Sequence, residues 1–149
     1  MIARVLQWGV IAIIGLLVAI QFVPYGHAHT NPSVRAEPAW DSSETRTLAV
    51  RACYDCHSNQ TTWPWYSNVA PISWLIQREV DEGRRELNFS EWDRPQREAR
   101  DAANQVRQGK MPPEYYVWLH PEARLSSSER DALIRGLEAT FGTRVERAQ

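Results

Sequence analysis

Between Val5 and Val23 the chain reads VLQWGVIAIIGLLVAIQFV, with no charged residue and two glutamines, Gln7 and Gln21. At the α-helical rise such a run is roughly 28 Å long, close to the hydrocarbon thickness of a bilayer. Arg4 and the amino terminus mark one end as cytoplasmic, while Trp8 and Tyr25 fall where interfacial aromatics belong. The expectation is an N-terminal transmembrane anchor within residues 1–24, with everything after it on the far side of the membrane. A cleaved signal peptide competes with it, since Gly26-His27-Ala28 places small residues at suitable offsets. The apolar run exceeds the usual h-region of about 7–15 residues, which favours the anchor. Either way the remainder is exported.

Residues 25–40 contain Gly26, Pro32 and Pro38 and little apolar surface, so they read as a linker. Residues 41–149 suffice for one small domain. A first helix is expected over Asp41–Ala52, with Asp41 as cap and Glu44 three residues on. Two prolines interrupt Asn59–Pro71; a helix follows from about Ile72 to Arg85, with Ile72, Leu75, Ile76 and Val80 on one side. Pro95 suits the first position of a polar helix that Gly109 ends, its apolar stripe limited to Ala99, Ala102, Ala103 and Val106, which places it at the surface. The last helix has the clearest signals: a capping box from Ser126 to Glu129, then Leu133, Ile134, Leu137 and Phe141 at helical spacing, then Gly142. No segment alternates with period two. The expected fold is all-α, a small helical domain after the anchor.

Inside that domain the only two cysteines stand in Cys53-Tyr54-Asp55-Cys56-His57, the C-x-x-C-H arrangement of c-type haem attachment. Two thiols on one helical turn can each add to a vinyl group of the porphyrin, and the next histidine then lies under the iron. A thioredoxin-like dithiol would want a preceding strand, but Thr45 to Ala52 reads as helix. A structural zinc would need a fourth ligand, and His27, His29 and His120 lack finger-like pairing. The motif therefore points to one covalent haem c, bound by Cys53 and Cys56 with His57 as iron ligand.

For the sixth position Met111 is the only methionine besides the initiator, and it sits in Gly109-Lys110-Met111-Pro112-Pro113. The prolines stiffen the following backbone, so a thioether there can be aimed at the iron. His120, before Pro121, is the alternative ligand, and an open sixth site is the third possibility. Trp63, Trp65, Tyr66, Trp74, Tyr115, Tyr116 and Trp118 could cover a porphyrin or simply build the core. Arg78, Arg84 and Arg85 could meet propionates, although a solvated helix face suits each better.

The assembled pattern resembles the membrane-anchored bacterial haem-binding domain family. The resemblance rests on Cys53-Tyr54-Asp55-Cys56-His57-Ser58-Asn59, Trp63-Pro64-Trp65-Tyr66-Ser67-Asn68, Leu87-Asn88-Phe89-Ser90-Glu91-Trp92, Met111-Pro112-Pro113 and Leu119-His120-Pro121-Glu122-Ala123-Arg124-Leu125-Ser126. It implies a covalently held haem with His57 proximal, and it brings no defined reaction. The expected function is an electron-transfer cytochrome rather than an enzyme. It would be tethered singly to the inner membrane, face the periplasm and meet a redox protein partner. A haem-based sensor, or a peroxidase-like enzyme using His120 with Glu114 or Glu122, is the alternative. The net charge of −1 argues against a nucleic-acid partner.

Overall fold

In the computed structural model, which describes residues 2–142, all the secondary-structure elements are helical. The expected domain end at residue 149 lies outside the described residues. Among the described residues the only β-type pairing is an isolated bridge between Ala36 and Glu91. The chain divides into two compact units, one of residues up to Thr30 together with Trp63–Glu79, the other of Asn31–Thr62 together with the described residues from Val80 onward.

The first unit begins with α1 (Ile2–Ile20), none of whose residues is buried. It is long and apolar enough to cross a membrane. The helix ends three residues before the apolar run does. Gln21 then turns its amide onto Ala70, donating from Nε2 to Ala70 O at 3.0 Å and accepting the Ala70 N–H at Oε1 at 2.9 Å. His29 stacks on Trp63 with ring centroids 4.6 Å apart and bonds Ser67 O through Nε2.

Helix α4 (Ile72–Glu86) starts in this unit and ends in the other. The second unit also holds α2 (Ser43–Ala52), α3 (Tyr54–His57), α5 (Ala102–Arg107), α6 (Glu114–Leu119) and α7 (Ser127–Phe141). Two start signals differ from expectation. Helix α2 is capped by Ser42, whose Oγ accepts the Thr45 N–H, because Asp41 is drawn off to Thr140. The helix expected from Pro95 is only α5, preceded by a 3-10 turn at Ala99–Asp101. Its would-be first turn bonds elsewhere: Gln96 Nε2 donates to Glu91 O, Gln96 Oε1 accepts the Asn88 N–H, and Glu98 N–H reaches Glu86 O. The alanine stripe is nonetheless buried at Ala99 and Ala103, with Val106 beside it.

Part of the expected linker is bonded into this unit. Arg35 and Ala36 N–H both reach Ser90 O, Trp92 N–H reaches Ala36 O, and Trp40 enters the core. There Phe89, 1% exposed, is ringed by Trp40, Tyr54, Trp92 and Phe141 at centroid distances of 5.2–6.3 Å. The aromatics that build this core are therefore mostly not the Trp63–Trp74 cluster.

Helix α7 packs against α2 and α5. Its capping box is complete: Ser126 Oγ accepts the Glu129 N–H and the Glu129 carboxylate accepts the Ser126 N–H, while Arg51 donates to the same carboxyl group. These contacts hold the Glu129 carboxyl down to about 2, the Ser126 backbone hydrogen bond contributing most. Where α7 crosses α2 the approach is so close that a Cβ on Gly136 would lie 1.9 Å from Thr45 Oγ1.

Gly136→Ala is expected to destabilise the domain by about 1–3 kcal/mol, the usual cost of overpacking, seen as a lower denaturant midpoint. Because the Glu129 carboxyl is depressed in the folded state, its contribution is complete above the unfolded value of about 4.3 and disappears as pH falls toward 2. Thermal melts should therefore show wild type ahead of Glu129→Gln at neutral pH and level with it near pH 2.

Candidate functional site

The C-x-x-C-H stretch folds because α2 ends on it. Cys53 N–H closes the last α2 bond to Ala49 O, and Cys53 O accepts the N–H groups of Cys56 and His57, starting the single turn α3. Neither cysteine is in a disulfide, and both are half-buried. Burial, with Cys56 nearby, pushes the Cys53 thiol up to about 12. A group so reluctant to ionise is the opposite of a catalytic dithiol, which works as thiolate. Among the described residues no group of three or more His, Cys, Asp or Glu is placed to hold a metal ion.

His57 is fixed through one nitrogen. Its Nδ1–H lies 3.0 Å from both Gly83 O and Leu87 O, the carbonyls at the end of α4. That assigns the proton to Nδ1 and reserves Nε2 for a ligand, as in most metal-binding histidines. Burial lowers the ring's pKa below the usual histidine value, opposed by the two carbonyls, and favours the neutral form that can ligate. The approach of α4 requires glycine: a Cβ on Gly83 would lie 2.4 Å from Cys56 O. A glycine in mid-helix was the signal available in the sequence for this contact.

The loop after the motif is also bound down. Phe89 N–H reaches His57 O at 2.8 Å, and Asn59 bonds Ser90, Glu91 and Asn88. Arg84 donates to Ser58 O, Thr61 Oγ1 and Asn31 Oδ1. Its guanidinium is thus committed to protein groups, and Arg85 pairs with Glu86.

Met111 lies outside this turn, on the loop between α5 and α6, 36% exposed. Its N–H and that of Lys110 both reach Gln105 O. The loop is tied to the motif through α6, where Tyr116 O–H donates to Asp55 Oδ2 at 2.7 Å. Asp55, the third residue of the motif, takes the Thr62 N–H on its other oxygen. The phenol is pushed well above its usual range by burial, and then by the carboxylate that holds its proton. His120 stacks on Tyr116 at 4.1 Å and donates from Nδ1 to Tyr116 O. The Asp55–Tyr116 pair was not among the expected site residues, because nothing in local spacing relates positions 61 apart.

The donor set fits a haem. Two cysteines outside any disulfide share a turn with a histidine whose Nε2 is left for iron, and Met111 and His120 flank a helix bonded to that turn. Tyr116→Phe keeps the ring and removes one hydrogen bond to a carboxylate. About 1.5 kcal/mol of stability should be lost, the lower end for such bonds because Tyr116 is only partly buried, and chemical denaturation measures it.

Comparison with characterised proteins and with solved structures returns no match. The family described as the haem-binding domain matches residues 15–139. That is well over half of the chain and includes every residue of the site, so the protein belongs to the haem-binding domain family and haem is its cofactor.

Proposed function

We propose that this protein is a membrane-tethered c-type cytochrome that carries electrons. The observation behind the proposal is the His57 ring, anchored at Nδ1 by Gly83 O and Leu87 O on the same turn as two cysteines that form no disulfide. Cys53 and Cys56 would hold the haem as thioethers, each thiol adding across one vinyl group with its hydrogen passing to the neighbouring carbon and no leaving group. When bound, the haem supplies an iron that cycles between the ferric and ferrous states.

The chain's own part is to hold that iron without rearrangement. His57 is held by two carbonyls and cannot rotate away, and its neutral ring donates from Nε2. Met111 is the proposed second ligand, presented on a loop fastened at one end to Gln105 O and at the other, through Tyr116, to Asp55. A thioether ligand raises the potential relative to a second histidine. Helix α1 is the proposed anchor, single-pass in a bacterial inner membrane, which leaves the haem domain in the periplasm. The partner is another redox protein, met in a small and transient interface.

One observation favours a second reading. The Met111 side chain is exposed, so a sixth site open to a small molecule would make the protein a sensor. A peroxidase-like use of His120 with Glu114 or Glu122 needs the same vacancy.

Absorption spectra of the purified protein separate these readings. Electron transfer through His57 and Met111 predicts a c-type reduced spectrum indifferent to carbon monoxide and a weak red band in the ferric state. Met111→Ala should abolish that band and admit carbon monoxide. A wild-type protein that binds carbon monoxide promptly would move the function to sensing or catalysis.

A further inference from the structure

From Thr61 to Gln77 the chain has no Asp, Glu, Lys or Arg, although 23% of its residues are charged. Much of this run is packed within the first unit: Ser67 and Ser73 are fully buried and Ala70 nearly so. Four apolar residues are not. Trp65 is 79% exposed, Val69 42%, Ile72 46% and Leu75 51%. Ile72 and Leu75 stand three apart on α4, hence on one side of it, and Val69 precedes them by one turn's length of chain. Water is a poor solvent for such a charge-free cluster, and patches of this kind mark interaction surfaces.

Its position identifies the partner. Gln21 is the first residue beyond α1, and its Nε2 also donates to Leu17 O in the last turn of that helix. The same side chain grips Ala70 by both backbone groups, at 3.0 Å and 2.9 Å. Ala70 is therefore fixed at the level where α1 ends, with Val69 one residue before it and Ile72 two after. If α1 spans the bilayer, that level is the boundary between hydrocarbon and headgroups. Amphipathic rings such as Trp65 favour this depth, as do apolar residues on the lower side of a helix lying on the membrane.

We infer that Trp65, Val69, Ile72 and Leu75 form a second membrane contact, a lipid-resting face clipped by Gln21 to the outer end of α1. The inference rests on the proposed anchoring by α1. The face seats the first unit on the bilayer and restricts how α4 can pivot about the chain segment that follows the anchor.

The full-length protein reconstituted in phosphatidylcholine vesicles provides the test. The vesicles are doped with a phosphatidylcholine that carries a photoreactive diazirine near the acyl carbonyl. After irradiation, mass spectrometry maps the lipid adducts. Adducts are expected on α1 and, severalfold above Val50, on Val69, Ile72 and Leu75; Val50 is a comparably exposed apolar residue of α2, 42% exposed. Adducts on α1 with Val69, Ile72 and Leu75 no higher than Val50 would overturn the second contact, reassign the face to a protein partner and leave the anchor standing. An α1 free of adducts would remove the anchor and this inference together.

Discussion

The site depends on the contact between the end of α4 and the turn that carries the histidine. The Gly83 carbonyl of α4 and the Leu87 carbonyl just past its end take the His57 Nδ1 proton, and the missing side chain at Gly83 lets the helix backbone come within reach. Neither half works alone. Without the carbonyls the imidazole would choose its own tautomer and rotamer; without the glycine the carbonyls would stand too far away. Leu87 O belongs to the same device because α4 continues just far enough to present it before the chain turns into Phe89. The cost of a glycine in mid-helix, about 1 kcal/mol relative to alanine, is offset by the ligand it positions.

Around that contact the second unit is assembled from short pieces. Helices α3, α5 and α6 span four to six residues, too short to persist alone, so each is held by what it touches. For α3 this is α2 before it and α4 above it. For α5 it is α7 and the buried Ala103–Val106 stripe. For α6, which buries no residue completely, it includes the Tyr116–Asp55 bond to the motif. The two attachments differ in kind: the proposed proximal histidine sits on a turn bonded to α2 and α4, while the proposed distal methionine sits beside a helix that buries no residue completely. A ligand that must stay and a ligand that sets the potential, or gives way, are thereby held by different means.

The proposed membrane anchor would give the first unit a different solvent. Its long helix buries nothing against protein, and its polar contacts are concentrated where that helix stops, at Gln21 and around His29, Trp63 and Ser67. An apolar helix with no protein partner makes sense beside lipid, and the uncharged stretch that follows the haem motif extends the same logic to the surface.

Several features were legible from residues in order. The apolar run, the single helical turn of Cys53–His57, the all-helical character and the capped helix at Ser126–Gly142 all depend on neighbours within a few positions, where spacing and capping chemistry act directly. Starts decided by competition were less legible: Asp41 lost the α2 cap to Ser42 because Thr140 claims it, and the turn after Pro95 did not become helix because Gln96 and Glu98 bond back to residues 86–91. What only the tertiary structure decided is which distant groups meet. The carbonyls that orient His57 come from 26 and 30 residues away, Asp55 meets Tyr116 from 61, and Gln21 holds Ala70 from 49. Local periodicity carries no information about such pairings, since they follow from how whole helices pack. The sequence by itself determined which chemistry the chain can perform, because thiols, imidazole and thioether are properties of residues. Their orientation was decided by the fold, because a hydrogen bond needs its partner within about 3 Å, and only packing can bring it there.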